Sequence, residues 1–189
     1  DYGNDFSPKV SLRWAPINSL TLRASVGRGF RAPSLPDITS KPAYSADSVI
    51  DSRNCLADGG YTAAECLVEP FQINGLHIAN PSLGSEKSKQ FSFGGAFDVT
   101  KSLTIKADYW NTEINDVISY VGAQTIVNRD NGSEARPIPP GLSIRRNPAN
   151  GAIIQIISGS TNEGVLKYSG IDAGATFSHK YASLGKFRH

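Results

Sequence analysis

The chain has 189 residues, a formal net charge of +2, 39% hydrophobic and 9% aromatic residues, and no methionine. Near-neutral charge without a basic cluster lacks the electrostatic footprint of a nucleic-acid binder, so no nucleic acid is expected as a partner. No stretch approaches the roughly 18 consecutive apolar residues of a transmembrane helix, but strand crossings need only about 9–11 alternating residues and leave little trace in hydropathy.

Period-two alternation marks five strands, over 9–14, 20–31, 88–99, 103–113 and 165–181. In the second, Leu20, Leu22, Ala24 and Val26 alternate with Thr21, Arg23 and Ser25. In the third, Phe91, Phe93, Phe97 and Val99 alternate with Ser92, Gly94, Ala96 and Asp98. The fourth places Leu103, Ile105, Ala107 and Tyr109 on one face. The last places Ile171, Ala173, Ala175 and Phe177 there, with Asp172, Gly174, Thr176 and Ser178 opposite. The connections alternate in length. Residues 15–19 and 100–102 are short turns, whereas 32–87 and 114–164 are long. Loops in compact soluble domains have a median of about 4–6 residues. Short turns at one end and long loops at the other are how outer-membrane barrels are built.

The registers fit one membrane slab. The apolar face ends in Arg28 on the second strand, Lys89 on the third and Asn111 on the fourth, after roughly one crossing length. Arg28 and Lys89 then fall at the outer headgroup level, where lipid phosphates can pair with them. Trp14 and Tyr181 fall beside the short turns, as an interfacial aromatic girdle does. A soluble half-buried antiparallel sheet also alternates, so alternation alone leaves both architectures open.

Several segments carry a family resemblance. Arg28-Gly29-Phe30-Arg31-Ala32-Pro33 resembles the GRGFRAP signature of TonB-dependent outer-membrane receptors, and residues 80–88 (NPSLGSEKS) resemble their NP-L-PEKS signature. Residues 7–16 look like the family's SPK-x-x-x-x-W-x-P strand and turn. Asp108-Tyr109-Trp110 with residues 114–118 resembles DYW-x-x-x-I-x-D-x-I. Asn162-Glu163-Gly164 followed by Gly170-Ile171-Asp172 resembles the returning strand. These follow one another in the family order. Gly84 and Ser85 depart from the signature at its Lys/Arg and Pro positions, which is expected to loosen the entrance to the third strand.

The resemblance implies an all-β fold: an antiparallel transmembrane β-barrel segment, five strands of a barrel of about 22, with two long extracellular loops. Residues 1–189 are then expected to be a partial barrel domain, with the plug domain and its coupling box outside it. The implied function is active uptake of a scarce nutrient, an iron–siderophore by default, across the Gram-negative outer membrane. Energy comes from the inner membrane through the coupling protein TonB, and the expected partners include outer-membrane lipid and lipopolysaccharide. The alternative is a soluble or surface β-sheet binding module. No catalytic, cofactor or metal site is expected, and substrate contacts are assigned only to the extracellular loops.

Cys55 and Cys66 are the only cysteines and share the first long loop. In the oxidising environment the resemblance implies, they read as a disulfide worth about 2–3 kcal/mol; two thiols or half of a metal site are the alternatives. Asp47, Asp51 and Asp58 could offer oxygens to calcium, though their spacing matches no EF-hand and a solvated acidic surface fits better. Asn131-Gly132-Ser133 fits a glycosylation pattern but reads better as a turn. His77, His179 and His189 are scattered, with no recognisable nucleophile arrangement around them.

Overall fold

The computed structural model describes residues 5–58, 60–62, 64–181 and 185–188; Asn54, Ala57, Asp58 and residues 179–181 and 185–188 are described by backbone alone. His189, and the side chains of His179, Tyr181 and Asp58, therefore lie outside the described residues. In chain order the elements are β1 (Lys9–Ile17), β2 (Leu20–Arg31), α1 (Leu35–Thr39), β3 (Ala43–Val49), α2 (Ser52–Asp58), β4 (Phe71–Ile78), β5 (Glu86–Asp98), β6 (Leu103–Asn115), β7 (Ile118–Val121), α3 (Ala123–Asp130), β8 (Ser143–Arg146), β9 (Ile153–Asn162), β10 (Val165–Tyr181) and β11 (Gly185–Arg188). The chain divides into two compact units. One contains residues 1–31, 85–117 and 164–189, the other residues 32–84 and 118–163.

The first unit is one antiparallel sheet, ordered β1-β2-β5-β6-β10-β11 among the described residues. The register brings the predicted apolar positions side by side: Val26 faces Phe91, Ala24 faces Phe93, and Phe93 faces Tyr109, which faces Ile171. Strand existence and face agree with the alternation, while several ends move. β1 runs through Pro16 to Ile17, its register shifting after Trp14. β5 starts at Glu86 and stops at Asp98, leaving Val99 in the turn, and β6 reaches Asn115. β11 is a sixth strand that the alternation did not mark.

The second unit is where the sequence-based description changes most. Segments 32–84 and 118–163, expected as loops, carry their own sheet in the order β3-β4-β9-β7, with β8 also on β9. β4 and β9 run parallel, Gly75 beside Ile156, and the other pairs are antiparallel. Helix α3 begins after Gly122 and turns off at Gly132, whose φ of 77° suits glycine. It presents Ala123, Ile126 and Val127 to Val49, Ile73, Val121, Leu142 and Ile156, one closed apolar core. Positions i, i+3 and i+4 share a helix face, which is why those three turn inward together.

Candidate functional site

In the first unit the two faces of the sheet differ. One is an apolar belt: Val10, Leu12, Phe93 and Ile171 are 67, 66, 53 and 75% exposed. So many large apolar side chains in open register suit a hydrocarbon environment rather than water. The opposite face is polar. Arg23 crosses to Asp108 over Gly94, its Nε donating to Oδ1 at 2.6 Å and its Nη2 to Oδ2. A Cβ at Gly94 would run into the Asp108 carboxylate and the Ala107 carbonyl, so glycine keeps that crossing open. Ser25 and Ser92 hydrogen-bond on the same face at 2.8 Å.

At the end of the sheet carrying the long connections, Arg31 donates to Glu86 through Nε (2.7 Å) and Nη2 (2.5 Å). Just before it, the Gly84 N–H donates to Asn162 Oδ1 at 2.7 Å while Asn162 Nδ2 donates back to the Gly84 carbonyl at 2.9 Å. The departure from the signature at Gly84 therefore does not loosen this entrance. A side-chain amide holds the backbone on both sides.

In the second unit Cys55 and Cys66 form a disulfide, with Cα atoms 5.4 Å apart and both residues buried. It joins α2 to the one-turn 3-10 helix Glu65–Leu67. The aspartates weighed as calcium ligands are engaged by protein donors. Asp51, whose side chain is wholly buried, accepts from Arg146 Nη1 at 2.5 Å and from Asn131 Nδ2 at 2.9 Å. Burial by itself pushes the Asp51 carboxyl up. The hydrogen bonds from Arg146 and Asn131 and the charge of Arg146 outweigh it and hold the group below the ordinary aspartate value. Arg146 Nε also donates to Asp130 Oδ2 at 2.8 Å, and Arg53 pairs with the same carboxylate. Asn131, the head of the glycosylation-like triplet, thus belongs to this network and accepts from Arg53 Nε at 2.7 Å. Arg129, 3% exposed, bridges Glu134 and Glu163 at 2.9 Å each.

His77 is the centre of a cluster that sequence reasoning missed. Ser45 Oγ donates to Asp47 Oδ1 at 2.9 Å, so at the 2.6 Å contact His77 Nε2–H donates to Ser45. On the other side of the ring, the Tyr120 hydroxyl donates to His77 Nδ1. Ser158 Oγ lies 2.9 Å from both. Asp47 Oδ1 lies 3.5 Å from His77 Nε2. A Cβ at Gly75 would run into Asp47 Oδ2 and Ser45 Oγ, so the cluster depends on that glycine. The cluster borders a cavity of about 250 Å³ lined by Asp37, Lys41, Ala43, His77, Tyr120 and Ser160. Ser158 is fully buried, so it cannot meet a substrate as a nucleophile. The arrangement ties β3, β4, β7 and β9 together.

Residues 1–188 match the family model described as TonB dependent receptor-like, beta-barrel. No curated protein sequence matches the chain. Among solved structures, the siderophore receptor PirA from Acinetobacter baumannii aligns over 93% of this chain and 21% of its own, with 14% identity and a TM-score of 0.59. A ferric enterobactin receptor from Pseudomonas aeruginosa, in complex with enterobactin, aligns over 99% of this chain and 22% of its own, with 17% identity and a TM-score of 0.59. At these identities the likeness is one of fold, and the chain spans about a fifth of the length of the structures it matches.

Proposed function

The chain belongs to the TonB-dependent receptor-like β-barrel family, and from that membership we propose that it is part of the wall and outer loops of an outer-membrane receptor for a scarce nutrient, an iron–siderophore foremost. Residues 1–189 are then a partial barrel domain, with further strands and the plug supplied elsewhere in the receptor. The observation that carries this reading is the continuous apolar face, in register from β1 to β10, on a sheet whose other face holds Arg23, Asp108 and the two serines. A wall with lipid on one side and a polar lumen on the other is written this way. Outer-membrane lipid and lipopolysaccharide meet the apolar face. The second unit, with its own core, disulfide and ion pairs, supplies structured outer loops that help capture the nutrient. Family chemistry then has energy delivered through TonB to the plug, and the wall makes and breaks no bond. The siderophore class rests on the printed identities of PirA and the ferric enterobactin receptor.

Labelling of intact cells carrying the complete receptor tests the orientation. Ser133 is the better probe than its neighbour Gly132, because a side chain at φ 77° would be strained. Ser133→Cys should react with an impermeant maleimide and Lys101→Cys, in the β5–β6 turn, should not. The reverse pattern would overturn the orientation. Ferric-siderophore uptake by the same cells should disappear on deleting TonB; uptake that persisted would overturn active transport.

A further inference from the structure

The apolar belt ends in a row of charge. Across neighbouring strands Arg28 faces Lys89, Lys89 faces Glu113 and Glu113 faces Lys167. Glu113 is taken by Lys167, whose Nζ lies 3.2 Å from Oε2. One pleat further out, Phe30 faces Lys87. Arg28, Lys87 and Lys89 are exposed, and none of them enters an ion pair with a described residue. Like charges directly opposite one another on a sheet are destabilising. The sheet therefore carries an electrostatic cost at Arg28 and Lys89 that an external anion would remove.

The surroundings specify which anion. Arg28, Lys87 and Lys89 line a cavity of about 320 Å³ together with Phe6, Phe30 and Asn115; Asp5 contributes a carboxylate at its edge. An arginine fork with two lysines suits a phosphate, which the arginine grips bidentately and the lysines neutralise. Directly beneath, one pleat of about 6.8 Å down the strand, begins the apolar row of Val26 and Phe91, followed by Ala24 and Phe93. A free phosphate gains nothing from that continuity. A phosphate carried on an acylated headgroup gains both contacts at once.

We propose that Arg28, Lys87 and Lys89, with Phe6 and Phe30, form a seat for the phosphate of an acylated phosphoglycolipid of the outer leaflet, whose chains lie on the belt below. This rests on the reading of the sheet as an outer-membrane wall. Arg28 and Lys89 make the primary contact. Lys87 closes the seat from the solvent side, and Lys167 is held out of it by Glu113.

The test uses the complete receptor, delipidated in neutral detergent and titrated with bis-phosphorylated lipid A, its dephosphorylated form and inorganic phosphate. Wild type should bind the phosphorylated lipid. The double variant Arg28→Gln/Lys89→Gln should bind it at least tenfold more weakly, Lys167→Gln within about twofold of wild type, and Asp5→Asn more tightly. Retained heat-modifiability on gels would show that the variants fold. Equal binding of dephosphorylated lipid A, or wild-type affinity in the double variant, overturns the seat. Displacement of the lipid by inorganic phosphate at comparable concentration would make the site one for free phosphate and also overturn it. Fractionation separates the two readings. A receptor absent from the outer membrane sinks both, whereas one present there with unchanged binding in the double variant sinks only the seat.

Discussion

The two units satisfy their apolar residues in different ways. Among the described residues, every buried hydrophobic side chain of the chain, Val49, Ile73, Ile126, Val127 and Ile156 among them, belongs to the second unit. The first unit has none, and Val10, Leu12, Phe93 and Ile171 stand open on one face. A core that closes on itself marks a body stabilised in water, where the hydrophobic effect acts within the unit. An open apolar face on a single-layer sheet marks a body whose partner is the solvent itself, here hydrocarbon. Charge is handled in the same spirit. In the second unit Arg146 and Asp51 are paired out of water, while on the first unit's belt charge is confined to the Arg28–Lys89 row where the apolar residues end.

The comparison predicts that the units fail independently. Arg146→Met strands the Asp51 carboxylate, whose side chain has no exposure, among buried neighbours. Removing one partner of a buried ion pair costs about 3–5 kcal/mol. In the complete receptor, hydrogen exchange should therefore rise steeply in peptides from β3, β8 and β9 and hardly at all in β2, β5 and β6. Equal loss of protection in both sets would show the two units to be one cooperative body and break the comparison.

A second substitution pair tests the open face. Ala107 faces Gly95 on one side and Ala173 on the other, within the belt, whereas Thr176 faces Thr104 on the opposite side of the sheet. An arginine near the bilayer midplane on the lipid face costs about 2–4 kcal/mol. Ala107→Arg should lower the yield of assembled, heat-modifiable barrel well below that of Thr176→Arg. Similar yields would mean that the faces have been assigned wrongly.

How much of this the sequence disclosed follows from the same contrast. A strand with lipid on one side must alternate along its whole crossing, so Leu20 to Val26 and Phe91 to Phe97 declare both their strand and their face. The second unit has no such obligation. β7 and β8 span four residues each, too short for a period to show, and β4 meets β9 in a parallel pair whose partners, such as Gly75 and Ile156, are far apart in the chain. The disulfide was readable because Cys55 and Cys66 are the only cysteines. The His77 cluster was not, because Ser158 lies 81 positions away and Tyr120 lies 43 away. The signal that could have found it is the parallel β4–β9 pairing, which no local pattern encodes. Gly84 misled for a related reason: its compensation comes from Asn162, 78 positions distant.

The smallest expected effect concerns acid. The Asp51 carboxyl titrates below its ordinary value because Arg146 and Asn131 favour its charged form despite burial. A carboxyl depressed in the folded state contributes stability that is fully present above the unfolded value, about 3.9 for aspartate, and is lost as pH falls through the lower folded value. The guanidinium of Arg146 is raised, burial opposing and the hydrogen bonds from Asp51 and Asp130 prevailing, so it stays charged throughout this window and protonation of Asp51 is what removes the pair. Protection of β3 and β8, corrected for intrinsic exchange, should therefore fall as pH drops below about 4. One proton limits the slope to about 1.4 kcal/mol per pH unit. Asp51→Asn should start less stable and show a shallower acid dependence, because the proton it would take up is no longer available. An acid slope as steep in Asp51→Asn as in wild type would move the acid sensitivity of the second unit to other carboxylates and leave the Arg146 pair without a part in it.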